Sequence, residues 1–507
     1  MTEASGSPSR KLDAAVIRVA IVVVLGMIMS ILDVTVVSVA LPTFQTSFDA
    51  DYATVAWTMT GYTLALATVI PITGWAAERF GTKRLYLLAL VLFVAGSALC
   101  STAWDIGSLI AFRVVQGLGG GMMMPLGMTI LTRAAGPARV GRIMALLGVP
   151  MLLGPIGGPI LGGWMIEDLS WHWIFLINVP VGVIALVATI MMLPGDRPAP
   201  AESFDFIGML LLSPGLALFL YGVSSIPDEG TVAAAGVLVP AVIGAVLILA
   251  FVGHAFRPEH PLIDLRLFRN RQLTVSVITM FVFSIAFFGA MLLLPTYLLQ
   301  IRNETTLDAG LLMAPQGFGA MVTMPIAGRL VDRIGAKRIV IPGLVLIAAG
   351  MVTLTRIGPD TSYVLLLTSL FVMGLGMGAT MMPVMTAAVQ TLTEHQIARG
   401  STLMNIIQQI ASSIGTAVMS VLLTNRLTDS ELAYPAIASN TDPTIAEKLP
   451  PQLIDQGFAE AADGFAFTFT VGFVLLLLVF VPVFLLPRRS RIAEQDDDGS
   501  RPIVMMH

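Results

Sequence analysis

The chain has 507 residues, of which 56% are hydrophobic and only 12% charged, with a formal net charge of −4. That is about half the charged fraction of a soluble protein and leaves a polytopic membrane protein as the class. The single cysteine, Cys100, excludes a disulfide framework or a cysteine metal site, and the five histidines lack ligand spacing. No nucleophile constellation, metal cluster or phosphate loop speaks for an enzyme. No metal, organic cofactor or nucleic-acid partner is expected.

In chain order, residues 1–15 form a short polar tail. Arg10, Lys11 and Arg18 precede an apolar run too long for a signal-peptide core, so a retained first span is expected. Apolar runs fall at 16–41, 54–77, 85–103, 106–132, 142–166 and 172–193, and then at 206–226, 232–255, 273–299, 308–330, 338–357, 362–388, 400–424 and 464–487. These predict fourteen membrane helices, and an even number puts both termini on one side. Of the 28 Lys and Arg, 23 fall on the side of the termini; Arg302, Arg356, Arg426 and Lys448 fall opposite, and Arg113 lies inside span 4. Basic residues stay cytoplasmic, so cytoplasmic termini in a cell membrane are expected. Segment 256–271 reads as a basic cytoplasmic connection. Segment 425–463 reads as an acidic external loop, and 488–507 as a disordered tail.

Span 1 contains one acid, Asp33, in the run Leu32-Asp33-Val34-Thr35 ending at Leu41-Pro42. It lies about eight residues, or roughly 12 Å, from the span's outer end. A carboxylate at that depth costs several kcal/mol unless it is paired, protonated or beside water, so it reads as a functional site. Arg113 lies at a similar depth in span 4, within Arg113-Val114-Val115-Gln116-Gly117. A direct or water-linked pair relieves both costs; the alternative is a separate aqueous cavity for each.

An internal repeat follows spans 2 and 10. Gly74, Glu78, Arg79, Gly81, Lys83 and Arg84 recur 254 residues on as Gly328, Asp332, Arg333, Gly335, Lys337 and Arg338. Glycine permits the tight turn. An acid at a helix C-terminus opposes the dipole and is expected to face a neighbouring helix N-terminus or a basic residue. Two related halves are the building plan of alternating-access transporters. Span 5 repeats glycine at Gly154, Gly158 and Gly162, next to Pro155 and Gly157, giving a face for close helix packing. Asn405, Gln408 and Gln409 form a polar stripe on span 13 that either joins helices or lines a cavity. The 29 methionines suit an adaptable apolar pocket or plain core filling.

These motifs together resemble the major facilitator superfamily, and within it the fourteen-span EmrB/QacA-type drug:proton antiporters, over residues 16–487. The resemblance rests on the Asp33-to-Pro42 run, the two loop repeats, Arg113-x₂-Gln116-Gly117 and Gly154-Pro155-x-Gly157-Gly158. It implies an all-α major facilitator fold with two six-helix bundles, at 16–193 and 272–487, and an extra helix pair within 194–271. It also implies that Asp33 and Arg113 couple protons and that Gly154, Pro155, Gly157 and Gly158 form a hinge-like element favouring export. Glu78 and Thr82 depart from the usual loop pattern, which implies a weaker latch in the first copy.

The expected function is proton-driven export of amphipathic compounds, including lipophilic cations, through a cavity assigned to Met29, Gln116, Phe283, Phe287, Asn405, Gln408 and Gln409. The partners are then a small amphipathic substrate, protons and membrane lipids, with an accessory envelope protein by family analogy only. Two alternatives stand. One is a lipid exporter drawing substrate laterally through a groove at Phe283, Phe287 and Phe288. The other is a non-transporting receptor or assembly factor that uses 425–463.

Overall fold

The computed structural model describes residues 13–136, 139–195, 203–229, 231–440 and 450–486. Among them the chain is helical, without a strand. The helices are α1 (Ala14–Phe48), α2 (Tyr52–Phe80), α3 (Thr82–Cys100), α4 (Ile106–Ala135), α5 (Val140–Asp168), α6 (Trp173–Leu176), α7 (Asn178–Met192), α8 (Phe206–Ser224), α9 (Ile226–Glu229) and α10 (Ala235–His254). After a 3₁₀ turn at Leu265–Arg269 come α11 (Arg271–Gln300), α12 (Thr306–Ile334), α13 (Lys337–Leu354), α14 (Tyr363–Val389), α15 (Glu394–Thr428), α16 (Ala433–Ser439), α17 (Pro451–Leu478) and α18 (Phe480–Leu485).

Thirteen stretches of the described residues are long and apolar enough to cross a membrane, with α6–α7 and α17–α18 each counting as one. The 29-residue α5 occupies the remaining expected position. Caps stop the helices where the chain turns. Asp51 accepts from Thr54 N at 2.6 Å, and Asp105 closes a capping box with Ser108. Helices α1–α7 pack as one bundle and α11–α18 as a second, with α8 and α10 as an additional pair. In that pair α8 lies against α2 and α15, so it spans the seam between the bundles.

The structure departs furthest from the expected boundaries in two places. Helix α1 continues to Phe48, past the Pro42 at which the span was expected to end. Much of segment 425–463 is helix rather than loop: α15 runs to Thr428, α16 follows, and α17 begins at Pro451. Side chains fasten this region. Ser430 Oγ donates to Glu460 Oε2 at 2.5 Å, and Asn440 Nδ2 donates to Gln300 O at 2.9 Å. A hydropathy window sees the Asp and Glu of this stretch but not the helix period that carries them. Most of the tail 1–15, residues 441–449 and the tail 488–507 lie outside the described residues.

Helices in lipid gain little from hydrophobic burial against one another, so close packing and hydrogen bonds hold them. Helix α5 shows how. Gly154, Gly158 and Gly162 lie against Ile31, Thr35 and Val36 of α1, and Thr35 Oγ1 donates to Gly154 O at 3.0 Å. A Cβ on Gly158 would overlap Thr35. The expected close-packing face of α5 therefore meets α1 beside Asp33. Gly157 meets only Leu32, and the side chain of Pro155 lies outside the described residues.

Candidate functional site

The two repeats build matching structures at one end of the molecule. Gly81 and Gly335 turn the chain with φ of 88° and 83°, which only glycine adopts without strain. Lys83 Nζ donates to Ile190 O at 2.8 Å and Leu193 O at 2.6 Å, at the C-terminal end of α7. Lys337 Nζ donates to Phe484 O near the C-terminal end of α18. Each lysine therefore satisfies orphan carbonyls, at the negative dipole end, of the last helix in its own bundle. Arg79 and Arg333 are exposed.

The two acids cross between bundles. Glu78 Oε2 accepts from Arg399 Nη2 of α15 at 3.1 Å. Asp332 Oδ1 accepts from Gly141 N, in the first turn of α5, at 3.0 Å and from Gln390 Nε2 at 3.0 Å. One acid thus takes the basic partner and the other the helix N-terminus. Gly74 sits against Ala398, Arg399 and Thr402, and Gly328 O lies against Gly141, so glycines let the bundles approach at both latches.

Deeper in the first bundle, Asp33 and Arg113 form an ion pair through Oδ2 and Nη1, and both are almost fully buried. Neighbouring helices supply the rest of their hydrogen bonds. Asp33 Oδ1 accepts from Gln116 Nε2 at 2.8 Å and from Asn178 Nδ2 at 3.3 Å. Both of these amides also donate to Ser97 Oγ, at 3.1 and 3.0 Å, and Ser97 in turn donates to Phe175 O at 3.0 Å. Arg113 donates through Nη1 to Gln116 Oε1 at 2.8 Å and through Nε to Thr58 O at 3.0 Å. Its guanidinium lies over the Tyr62 ring, 4.2 Å from the centroid. A buried ion pair is tolerated only where such bonds offset desolvation. This one draws on α1, α2, α3, α4 and α7.

Between the bundles lies a cavity of about 410 Å³, the size of a small-molecule site. Its first-bundle wall includes Met27, Ser30, Ile31 and Val34; the second bundle contributes Phe288, Met291, Gln316, Asn405, Gln408, Gln409 and Ser412. Asn405, Gln408 and Gln409 thus line a cavity, one of the two roles open to them. The other four residues assigned to a cavity do not reach this lining. Gln116 turns to Asp33, and Met29 is buried beside Gly182. Phe283 and Phe287, one helical turn apart, stack at 5.3 Å inside the second bundle. Phe288, one residue and about 100° further round, faces the cavity instead.

Sequence reasoning missed Ser97, Asn178, Thr58, Tyr62, Ser30 and Gln316. Asn178 and Gln316 offered a signal as amides within apolar stretches; a lone hydroxyl or backbone carbonyl in a membrane helix offers almost none. The cavity touches the ion pair only indirectly, because Ser30 Oγ lies 3.0 Å from the Tyr62 hydroxyl.

Two helical bundles, latched at one end and enclosing a cavity beside a buried ion pair, define a membrane transporter. A family profile described as Major Facilitator Superfamily matches residues 23–416, and the chain belongs to that family. It is 50% identical to the Multidrug resistance protein B homolog of Mycobacterium tuberculosis H37Rv, over 95% of this chain and 92% of that one. It is 29% identical to the Multidrug export protein EmrB of Escherichia coli K12, covering 82% and 81%. It therefore groups with the EmrB-type transporters, as the sequence motifs implied, and is not an enzyme. The human organic anion transporter MFSD10 shares the fold, with a TM-score of 0.60 at 17% identity, covering 93% of this chain and all of that one. The proton:xylose symporter XylE shares it at a TM-score of 0.56 and 14% identity, covering 95% and 98%.

Proposed function

We propose that the protein exports amphipathic compounds across the cell membrane in exchange for protons, by alternating access, with Asp33 as the proton-carrying group. The observation that carries this reading is the wholly buried Asp33–Arg113 pair, placed one side chain away from a central cavity. Ionised Asp33 holds Arg113. Protonated Asp33 has no charge with which to hold it, so the guanidinium is left with Gln116, Thr58 and Tyr62, and the packing between α1 and α4 can change. The close α1–α5 contact at Gly154 and Gly158 would carry such a change to α5, whose first turn holds Asp332.

In this reading the end carrying the two repeats is cytoplasmic, as its basic residues favour, and the termini lie there too. The Glu78–Arg399 and Asp332–Gly141 contacts then close the cytoplasmic side and must part for substrate to load. The names of the similar multidrug proteins support export of a broad range of compounds.

The test is proton flux in vesicles of known orientation, with a pH gradient imposed and a panel of neutral and cationic amphipathic compounds added. The expected result is compound-dependent release of the gradient by the wild-type protein and none by Asp33→Asn. Equal release by both overturns the role of Asp33. Export by the wild-type protein that ignores the gradient overturns antiport.

A further inference from the structure

The extra pair, α8 and α10, is built as one body. A Cβ on Gly222 would overlap the backbone of Ala241, and one on Gly244 the backbone of Phe219, so the two helices meet main chain to main chain. Asp205 ties their ends on the side of the repeats. Its Oδ1 accepts from Gly208 N at 2.8 Å and lies 2.8 Å from His254 Nε2, and its Oδ2 accepts from Leu262 N at 3.1 Å. One buried carboxylate thus holds the start of α8, the end of α10 and the connection that follows.

This body lies over the seam between the bundles, where α8 meets both α2 and α15. The two contacts differ in kind. Toward α2 they include aromatic pairs at both ends. Tyr221 stacks on Trp57 with ring centroids 5.4 Å apart, and Phe204, two residues before α8, meets Trp75 at 4.3 Å. Toward α15 the buried members of the contact are aliphatic. Leu212 and Leu216 cluster with Leu403 and Ile406, and Val223 clusters with Ala417. An aromatic pair adds about 0.5–1.5 kcal/mol beyond its buried area and depends on ring geometry. Aliphatic contact has no direction and re-forms when one helix slides along another.

The seam borders the cavity. Leu66 and Ile70 of α2 line the cavity and also pack in the cluster that holds Leu212 and Leu216. Helix α8 therefore backs this part of the wall, with Ile207 and Leu210 exposed on its far side.

We infer that α8 and α10 travel with the first bundle, fastened to α2 by the two ring pairs, and slide along α15 when the bundles rock. The α2–α15 seam then stays covered in both access states. This rests on the alternating-access reading and deepens it, assigning the pair to one of the two moving bodies.

The experiment measures distances between spin labels on the full-length protein in nanodiscs, at low and at high pH. The labels sit on cysteines placed two at a time, in a Cys100→Ser background, at exposed positions of the end opposite the repeats. Thr102, after α3, reports the first bundle, Ser224 reports α8, and Thr428, at the end of α15, reports the second bundle. The expected result is a Thr102–Thr428 distance that changes by several ångström between the two conditions. The Ser224–Thr428 distance changes with it, and the Ser224–Thr102 distance stays constant. A Ser224–Thr102 distance that changes overturns the inference, whether or not Ser224–Thr428 holds. Tyr221→Leu combined with Phe204→Leu removes both ring pairs, and the Ser224–Thr102 distribution should broaden. A distribution as narrow as in the parent protein overturns the fastening role of the rings. A constant Thr102–Thr428 distance overturns alternating access itself and takes the inference with it, so the two failures are distinct.

Discussion

The Tyr62 ring lies under the Arg113 guanidinium, 4.2 Å from centroid to Cζ, and its hydroxyl is 3.0 Å from Ser30 Oγ on the cavity wall. One side chain therefore contacts the buried ion pair through its face and Ser30, a residue of the cavity wall, through its hydroxyl. Gly120 makes this approach feasible, since a Cβ there would overlap the Tyr62 hydroxyl. Tyr62→Phe keeps the stacking and removes the link to Ser30. The expected outcome is ligand binding within about threefold of wild type and a stability loss of about 1 kcal/mol, the worth of one neutral hydrogen bond. Ligand-driven proton flux should fall several-fold. Unchanged flux in the vesicle assay would show that the ion pair senses the cavity by another route.

The asymmetry of the ion pair gives a stability prediction. Asp33→Asn leaves Arg113 charged but still donating to Gln116 and Thr58 and stacked on Tyr62. Arg113→Met leaves a buried carboxylate with only two amide donors. Removing one partner of a buried pair costs about 3–5 kcal/mol. Arg113→Met should fall in or above that range, Asp33→Asn below it, and the double variant should recover most of the Arg113→Met loss. Thermal unfolding of the four proteins in one detergent measures this, and a double variant no better than Arg113→Met would contradict it.

These outcomes also mark what the sequence made legible. Asp33 and Arg113 stood out because an ion in an apolar run is expensive wherever its partner lies. The fourteen spans stood out because a membrane helix is defined by length and apolarity. The acid–glycine–lysine repeat announced two halves, since its geometry recurs at Gly81 and Gly335. What stayed hidden depends on helix phase and on neighbours from other spans. Ser97 accepts from two amides on different helices, a role written only in the packing. Phe287 and Phe288 are alike in sequence, yet a rotation of about 100° sends one into the bundle and the other to the cavity. The helical start of α17 was masked by the charge of its first turns.

The latches at the repeat end should be separable. Glu78 and Arg399 form a largely buried ion pair, so Glu78→Gln should cost roughly 1.5–3 kcal/mol, the worth of a hydrogen bond to a charged group. Asp332 accepts from Gly141 N in the first turn of α5, and Asp332→Asn removes a charge favoured there by roughly 0.3–1 kcal/mol. Each change should loosen the closed end without unfolding the protein. Hydrogen exchange of residues 139–143 should rise in Asp332→Asn, that of residues 394–402 in Glu78→Gln, and both in the double variant. Equal protection in all four proteins would mean that neither contact holds the bundles together.

Two glycines of α5 provide a paired test of the α1–α5 contact. Gly158 faces Thr35 so closely that a methyl group cannot be accommodated without moving α1, whereas a Cβ on Gly163 meets nothing within 4 Å among the described residues. Alanine in an unobstructed helical position is favoured over glycine by roughly 0.5–1 kcal/mol. Gly163→Ala should therefore leave the unfolding temperature unchanged or raise it, and leave flux intact. Gly158→Ala should lower the unfolding temperature by overpacking, at about 1–3 kcal/mol. It should also reduce flux, because the displaced Thr35 is two residues from Asp33 and holds Gly154 O. The overlap is with Thr35 Oγ1 and Cβ, so if Thr35→Gly restores flux to Gly158→Ala by removing both atoms, the loss lies in that contact. If Gly158→Ala transports normally, α5 and α1 are not the elements through which the ion pair reaches the latch.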